Sequence, residues 1–292
     1  MALQKTSSKP KLRFAPSPNG YLHLGHAFSA LTNADLAKRL GGTWLLRIED
    51  IDQNRSKPEF IQNIFDDLKW LGLDWPEPVL HQSTRLGSYR DAAKKLHALN
   101  LLYPCFCSRK KTREVAGTKV DPDGAPIYPG TCKNLNHKQI QQKLEAKIPV
   151  QYRLHMDKAV AKAGAKAGPL HFKQFTQDDP LTFDKITCQP KNWGDVVIIR
   201  KDTPTSYHLS VVVDDAFQNI THVIRGKDLE AATNIHILLQ NLLEFPSPAY
   251  FHHQLINDDK QQKLAKSSGS TNLKDLQKIN ISAKQIREQL NF

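Results

Sequence analysis

The sequence predicts an α/β fold built on a parallel sheet, and three observations predict it. Residues 12–107 alternate strand and helix signals in a β–α–β–α–β order, the pattern of parallel strands joined by crossover helices. Two runs, Thr43–Ile48 and Asp195–Arg200, are apolar without polar alternation, as strands buried on both faces are. A first strand, Leu12-Arg13-Phe14, turns through Pro16, Ser17, Pro18, Asn19 and Gly20 into His23-Leu24-Gly25-His26, where a helix begins and runs over Ala27–Leu40. A strand, a turn and a helix start make a phosphate-binding geometry, because backbone N–H groups and the helix dipole meet an anion there.

The elements follow in order. Gly41-Gly42 stops the first helix, and Thr43–Ile48 ends in the carboxylates Glu49, Asp50 and Asp52. Ligands of open α/β sheets bind outside the carboxyl ends of strands, so this cluster can receive a substrate ammonium. We assign Glu49 to substrate, and Asp50 and Asp52 to local bonding and to capping a helix over Glu59–Leu71. A helix over Leu86–Leu99 and a strand over Leu101–Cys107 complete the first half. Beyond it lie a polar helical stretch, Lys133–Lys147, and a strand, Val150–Leu154. Lys158–Gly168, KAVAKAGAKAG, is basic and low in complexity and reads as solvated, mobile surface. Leu170–Phe175 and Leu181–Thr187 alternate as a hairpin does. Residues 108–190 thus read as an α+β unit inserted between two halves, 1–107 and 191–256. The stretch 257–292 follows a β-prone Gln254–Asn257 and supplies a lysine-rich loop and a short helical tail over Ser282–Leu290.

Composition narrows the class. The 292 residues are 39% hydrophobic and 24% charged, as in soluble globular proteins. A net charge of +12 points to a polyanionic partner. The start, MALQKTSSKPK, lacks the apolar core of a signal peptide, and no apolar run is long enough to span a bilayer. A cytoplasmic protein with no membrane partner is expected. Four cysteines do not make a disulfide scaffold, but Cys105, Cys107 and Cys132 cluster around a Pro-Gly turn and suggest a metal. Zinc prefers four tetrahedral ligands, thiolates among them. His137 or Tyr128 could supply the fourth, and Cys188 reads as an incidental buried thiol. His23 and His26 do not form an H-E-x-x-H metal site, which needs another spacing and a glutamate.

Longer strings carry a resemblance. RFAPSPNGYLHLGH (13–26) resembles the HIGH signature of class I aminoacyl-tRNA synthetases in the form of their glutamyl group. RIEDID (47–52), WLGLDW (70–75), YHLSVVVDD (207–215) and ITHVIRGKDL (220–229) are similar to further motifs of that group, and KLAKS (263–267) to its KMSKS loop. The resemblance implies a Rossmann-like nucleotide-binding domain. It places Mg-ATP against Pro16, His23, Gly25, His26, Lys263 and Lys266, with one of the two histidines and backbone on the phosphates, Gly25 beneath the adenine and Lys266 on the charge that builds on the phosphates; His23, His26 and Lys266 are the catalytic set it implies. It places L-glutamate against Arg13, Ala15, Ser17, Glu49, Tyr207 and Arg225. Glu49 would take the ammonium and the two arginines the carboxylates, in an order the residues do not fix; taken alone, Arg225 also suits an ion pair with Asp214 or Asp215. Leu264 and Ala265 depart from the loop's usual Met and Ser, and the second change removes a hydroxyl.

The pattern C-x-C…Y-x-x-x-C resembles the truncated, zinc-bearing branch of the group, which attaches glutamate to queuosine in tRNA(Asp). In that branch Tyr128 would join Cys105, Cys107 and Cys132 around one structural zinc. The few residues after Ser267 fit the same branch, since they leave no room for an anticodon-binding domain. The resemblance therefore implies a ligase whose partners are ATP, L-glutamate and tRNA(Asp) carrying queuosine; a monomer is expected, although the residues do not reveal the oligomeric state. A short glutamyl-tRNA(Glu) synthetase and a non-catalytic RNA-binding paralogue are the alternatives.

Overall fold

The computed structural model describes residues 9–256 and 272–292. The chain runs β1 (Lys11–Phe14), α1 (Leu24–Arg39), β2 (Thr43–Ile48), α2 (Pro58–Trp70), β3 (Leu80–His81), α3 (Leu86–Ala98), β4 (Leu102–Cys105), α4 (Arg109–Val115), α5 (His137–Glu145) and β5 (Gln151–Leu154). It continues through α6 (Met156–Ala167), β6 (His171–Gln174), β7 (Asp184–Thr187), β8 (Val197–Ile199), α7 (Tyr207–Phe217), β9 (His222–Gly226), α8 (Thr233–Leu243), β10 (Ala249–His253), α9 (Leu273–Lys278) and α10 (Ala283–Gln289).

β1, β2 and β3 pair in parallel, with Leu12 opposite Trp44 and Ile48 opposite His81. β6, β10 and β9 also pair in parallel, and β7 adds an antiparallel edge beside β6. The two sheets abut between β1 and β9. There Thr221 N–H donates to the Lys11 carbonyl at 2.9 Å, and Lys11 N–H donates to Thr221 Oγ1 at 2.8 Å. Strand order reverses at this junction, and such a switch point opens a crevice at the carboxyl ends. α1 covers the first sheet with Ala27, Ala30, Leu31 and Leu36, which pack with Leu12, Leu46 and Ile48. It ends at Gly41 (φ +61°), and a Cβ at Gly42 would lie 2.3 Å from the Pro10 carbonyl oxygen, so neither position suits another residue. A second core joins α3, α6, α7 and α8 through Leu96, Ala159, Ala163, Leu209, Val212 and Leu238.

Several expectations need correction. β4 and β8, read as parallel strands, lie in a separate antiparallel sheet of order β4-β5-β8. An apolar run reports burial and not the direction of its neighbour. KAVAKAGAKAG is not mobile surface but most of α6. Met156, Ala159 and Ala163 recur at helical spacing and are buried against the second core, while the lysines face outward. Asp50 and Asp52 do not cap α2, which starts at Pro58 behind an uncapped Lys57. Asp50 instead accepts Ser83 N–H at 2.8 Å and Ser83 Oγ–H at 2.7 Å, and Asp52 pairs with Arg55 at 2.8 Å. β10 ends at His253, so Gln254–Ile256 is not strand. Strands of the 108–190 stretch join both layers: β5 enters the antiparallel sheet, and β6 and β7 enter the larger one. Among the described residues no helix is long and apolar enough to cross a membrane.

Candidate active site

The crevice at the β1–β9 junction is a cavity of about 500 Å³. Arg13 and Ala15–Ser17 line it from β1 and the following turn, and His23, Gly25 and His26 from the start of α1. Glu49 lines it from the end of β2, Tyr207 from the start of α7 and Arg225 from β9. Every residue expected to touch glutamate or ATP is thus brought to one cavity, apart from Lys263 and Lys266, which lie outside the described residues. Asn19, Ser29, Asp228 and His253 line it too and were not anticipated.

The floor is a buried charge network. Asp215 accepts Arg13 Nε–H at 3.0 Å and Arg47 Nη1–H at 2.8 Å. Arg47, fully buried, also donates from Nη2 to Glu49 at 3.3 Å. Burial pushes the Asp215 carboxyl up, but Arg13 and Arg47 reverse this and hold it below its ordinary value. For Glu49 burial wins over Arg47 and Arg13, and its pKa is raised. Asp214 faces elsewhere and accepts from Gln82, Arg85 and Tyr89. Neither Asp214 nor Asp215 pairs with Arg225. The role of Arg47 was missed, although a charged residue inside a buried strand signals a buried partner.

Arg225 is 5% exposed, yet it pairs with no carboxylate among the described residues. Its Nη1 donates to Tyr207 Oη at 3.3 Å and to His236 Nδ1 at 3.2 Å, and its Nη2 to Thr233 Oγ1 at 2.6 Å. Its buried Nε–H has no hydrogen-bond partner among the described residues. A guanidinium in this state is an incomplete ion pair, because an uncompensated buried charge is costly.

At α1 the two histidines cap the helix. His23 Nδ1 accepts Gly25 N–H at 3.1 Å and His26 Nδ1 accepts His23 N–H at 3.2 Å. The N–H groups of His23 and Gly25, expected to face an anion, are therefore taken by side chains. Since both Nδ1 atoms accept, each ring carries its proton on Nε2, where it is a donor. A Cβ at Gly25 would sit 3.1 Å from the His23 ring, so a larger residue there would push that ring aside by a few tenths of an ångström.

A second, larger cavity of about 980 Å³ adjoins the first and shares Tyr207. Cys107 and Tyr128 line it, together with Arg55, Arg109, Arg153 and Arg200. The Sγ atoms of Cys105, Cys107 and Cys132 all lie within 4.8 Å of one another, and all three residues are buried. Cys107 Sγ is 3.6 Å from Cys132 Sγ and 3.7 Å from Tyr128 Oη. A zinc tetrahedron with bonds of about 2.3 Å has edges of about 3.8 Å, so this donor set fits the ion. Burial lifts the Cys105 thiol, but hydrogen bonds from Tyr128, Gln151 and Arg153 bring it down to about 7. His137, the other proposed fourth ligand, is exposed at the start of α5 and does not join the group. Cys188 also lies apart, half-buried behind β7.

A crevice at the switch point of a parallel sheet, lined by these motifs, is the site of a nucleotide-dependent class I ligase. Residues 9–287 match the family model of class I tRNA synthetases (E and Q), catalytic domain, and the chain belongs to that family. A glutamyl-Q tRNA(Asp) synthetase of Rhodobacter capsulatus is 44% identical over 286 residues, covering 96% of this chain and 99% of the relative. A glutamate–tRNA ligase of Coprothermobacter proteolyticus is 35% identical, but the match spans only 54% of that ligase. The crystal structure of a glutamate–tRNA synthetase from Elizabethkingia anophelis superposes with a TM-score of 0.71 at 25% identity, over 94% of this chain and 54% of that one.

Proposed function

We propose that this protein activates L-glutamate with ATP and transfers the glutamyl group to queuosine at the wobble position of tRNA(Asp). The observation that carries the first step is the buried Arg225, which has no carboxylate partner among the described residues and lines a cavity of substrate size. A glutamate carboxylate completes that ion pair. Arg13, already shared with Asp215, offers the second carboxylate a donor at lower net charge. Glu49 receives the ammonium, which supplies the positive charge that its burial calls for.

The α-carboxylate then attacks the α-phosphorus of ATP. A carboxylate–phosphorus bond forms, the bond to pyrophosphate breaks, and glutamyl-adenylate results. His23 and His26 present Nε2–H donors to the phosphates, and Lys263 and Lys266 are assigned the charge that builds on them. Mg²⁺ enters with ATP on substrate oxygens. No side-chain nucleophile is needed, because positioning and oriented donors suffice. A hydroxyl on the cyclopentene ring of queuosine next attacks the activated carbonyl and releases AMP. The Rhodobacter relative named for the glutamyl-Q reaction, matched over 99% of its length, supports this acceptor. Zinc, held by Cys105, Cys107, Tyr128 and Cys132, fixes the wall of the larger cavity. ATP and tRNA as substrates fit a cytoplasmic protein.

Glutamate-dependent ATP–pyrophosphate exchange in the absence of tRNA tests the activation step. Exchange with glutamate but not glutamine or aspartate is expected. Folded, zinc-loaded protein that exchanges with no amino acid would contradict the proposal and leave an RNA-binding paralogue.

A further inference from the structure

Arg225 is held from behind by α8. Its Nη1 donates to His236 Nδ1 at 3.2 Å and its Nη2 to Thr233 Oγ1 at 2.6 Å. An arginine is always a donor, so His236 Nδ1 must accept and its ring proton sits on Nε2. His236 Nε2 lies 3.3 Å from His208 Nδ1, so it donates to that atom, and the His208 proton falls on its own Nε2. The chain Arg225–His236–His208 therefore has one proton arrangement, with every ring neutral. His208 lines the larger cavity, while Arg225 lines the smaller one. Thr233 is fully buried and meets His252 Nε2 at 3.0 Å on its other side.

We propose that His236 and Thr233 are positioning residues that orient the Arg225 guanidinium toward a substrate carboxylate. They do so as neutral acceptors. A carboxylate in either place would neutralise the guanidinium and remove its call for an anionic ligand. A neutral acceptor fixes its orientation and leaves its charge for the substrate. Burial first, and then the charge of Arg225, drive the His236 pKa well below its ordinary value, so the ring remains an acceptor. The inference rests on the proposed glutamate activation only for its kinetic consequence.

Two measurements test it. Long-range 15N–1H spectra of histidine-labelled protein, assigned with His236→Asn, report tautomers without any substrate. Protonation of His236 at Nε2 is expected, and a proton on Nδ1 overturns the proposal. In exchange kinetics, His236→Leu and Thr233→Val are each expected to raise the glutamate KM about 10- to 100-fold, the effect of one lost bond to a charged group. The ATP KM should move less than about twofold. His236→Asn, whose Oδ1 can replace Nδ1 as acceptor, should restore most of the loss. A parallel rise of both KM values, or none, overturns the proposal. If His236→Leu fails to fold, Thr233→Val and the Asn rescue decide. Wild-type protein that shows no glutamate-dependent exchange would sink the proposed function, and the tautomer alone would then decide this inference.

Discussion

Arg225 and Asp215 set opposite requirements at the floor of the cavity. Arg225 has neutral partners, so its charge is available to a ligand. Arg225→Leu should lower glutamate-dependent exchange by about 100-fold or more, in line with the loss of a buried bidentate pair. Pyrophosphate exchange at saturating ATP measures this. Asp215 has the opposite task, because it neutralises Arg13 and Arg47. Asp215→Asn leaves two buried guanidinium groups short of charge and should cost about 3–5 kcal/mol in urea unfolding. The sign with pH follows from its lowered pKa. Its contribution is complete above the unfolded carboxylate value, about 3.9, and is lost as pH falls through the lower folded value. Unfolding curves from neutrality into acid should therefore show a shallower acid limb for Asp215→Asn than for wild type.

At the scale of elements, local signals were legible and partners were not. β1, the turn after it, α1 and β2 were readable because breakers, capping residues and an apolar run all agree there. β8 was readable as buried but not as antiparallel, since its partner β5 lies over forty residues away in sequence. α6 was hidden by low complexity, although Met156, Ala159 and Ala163 keep helical spacing. The cavity residues were legible as motifs, whereas His236 was not, because its role depends on how α8 packs behind β9. The terminal helices show the same limit. α10 was expected from Ser282–Leu290, but α9 and the docking of both helices were not: Leu273 N–H donates to the Leu22 carbonyl at 2.8 Å, next to His23. Leu290 is buried with Ile286 against the α1–α2 core. Leu290→Ala should cost about 2–4 kcal/mol by the cavity it leaves, measured by urea unfolding.

Across the whole molecule, the cavity proposed for glutamate and the cysteine-lined cavity meet at Tyr207, so on the proposed reading the acyl donor and the acceptor would approach from two sides of one residue. One zinc per chain is expected, and Cys132→Ser should lose it and lower Tm, as read by metal analysis and thermal melts. The net charge of +12 fits an RNA partner, whose binding should weaken steeply with salt. The most direct measurement is transfer of labelled glutamate to tRNA(Asp) with and without queuosine, with tRNA(Glu) alongside. Labelling of the queuosine form alone, resistant to oxidation of the terminal adenosine, is the expected result. Labelling of tRNA(Glu) at its 3′ end would contradict the account and identify a short glutamyl-tRNA synthetase.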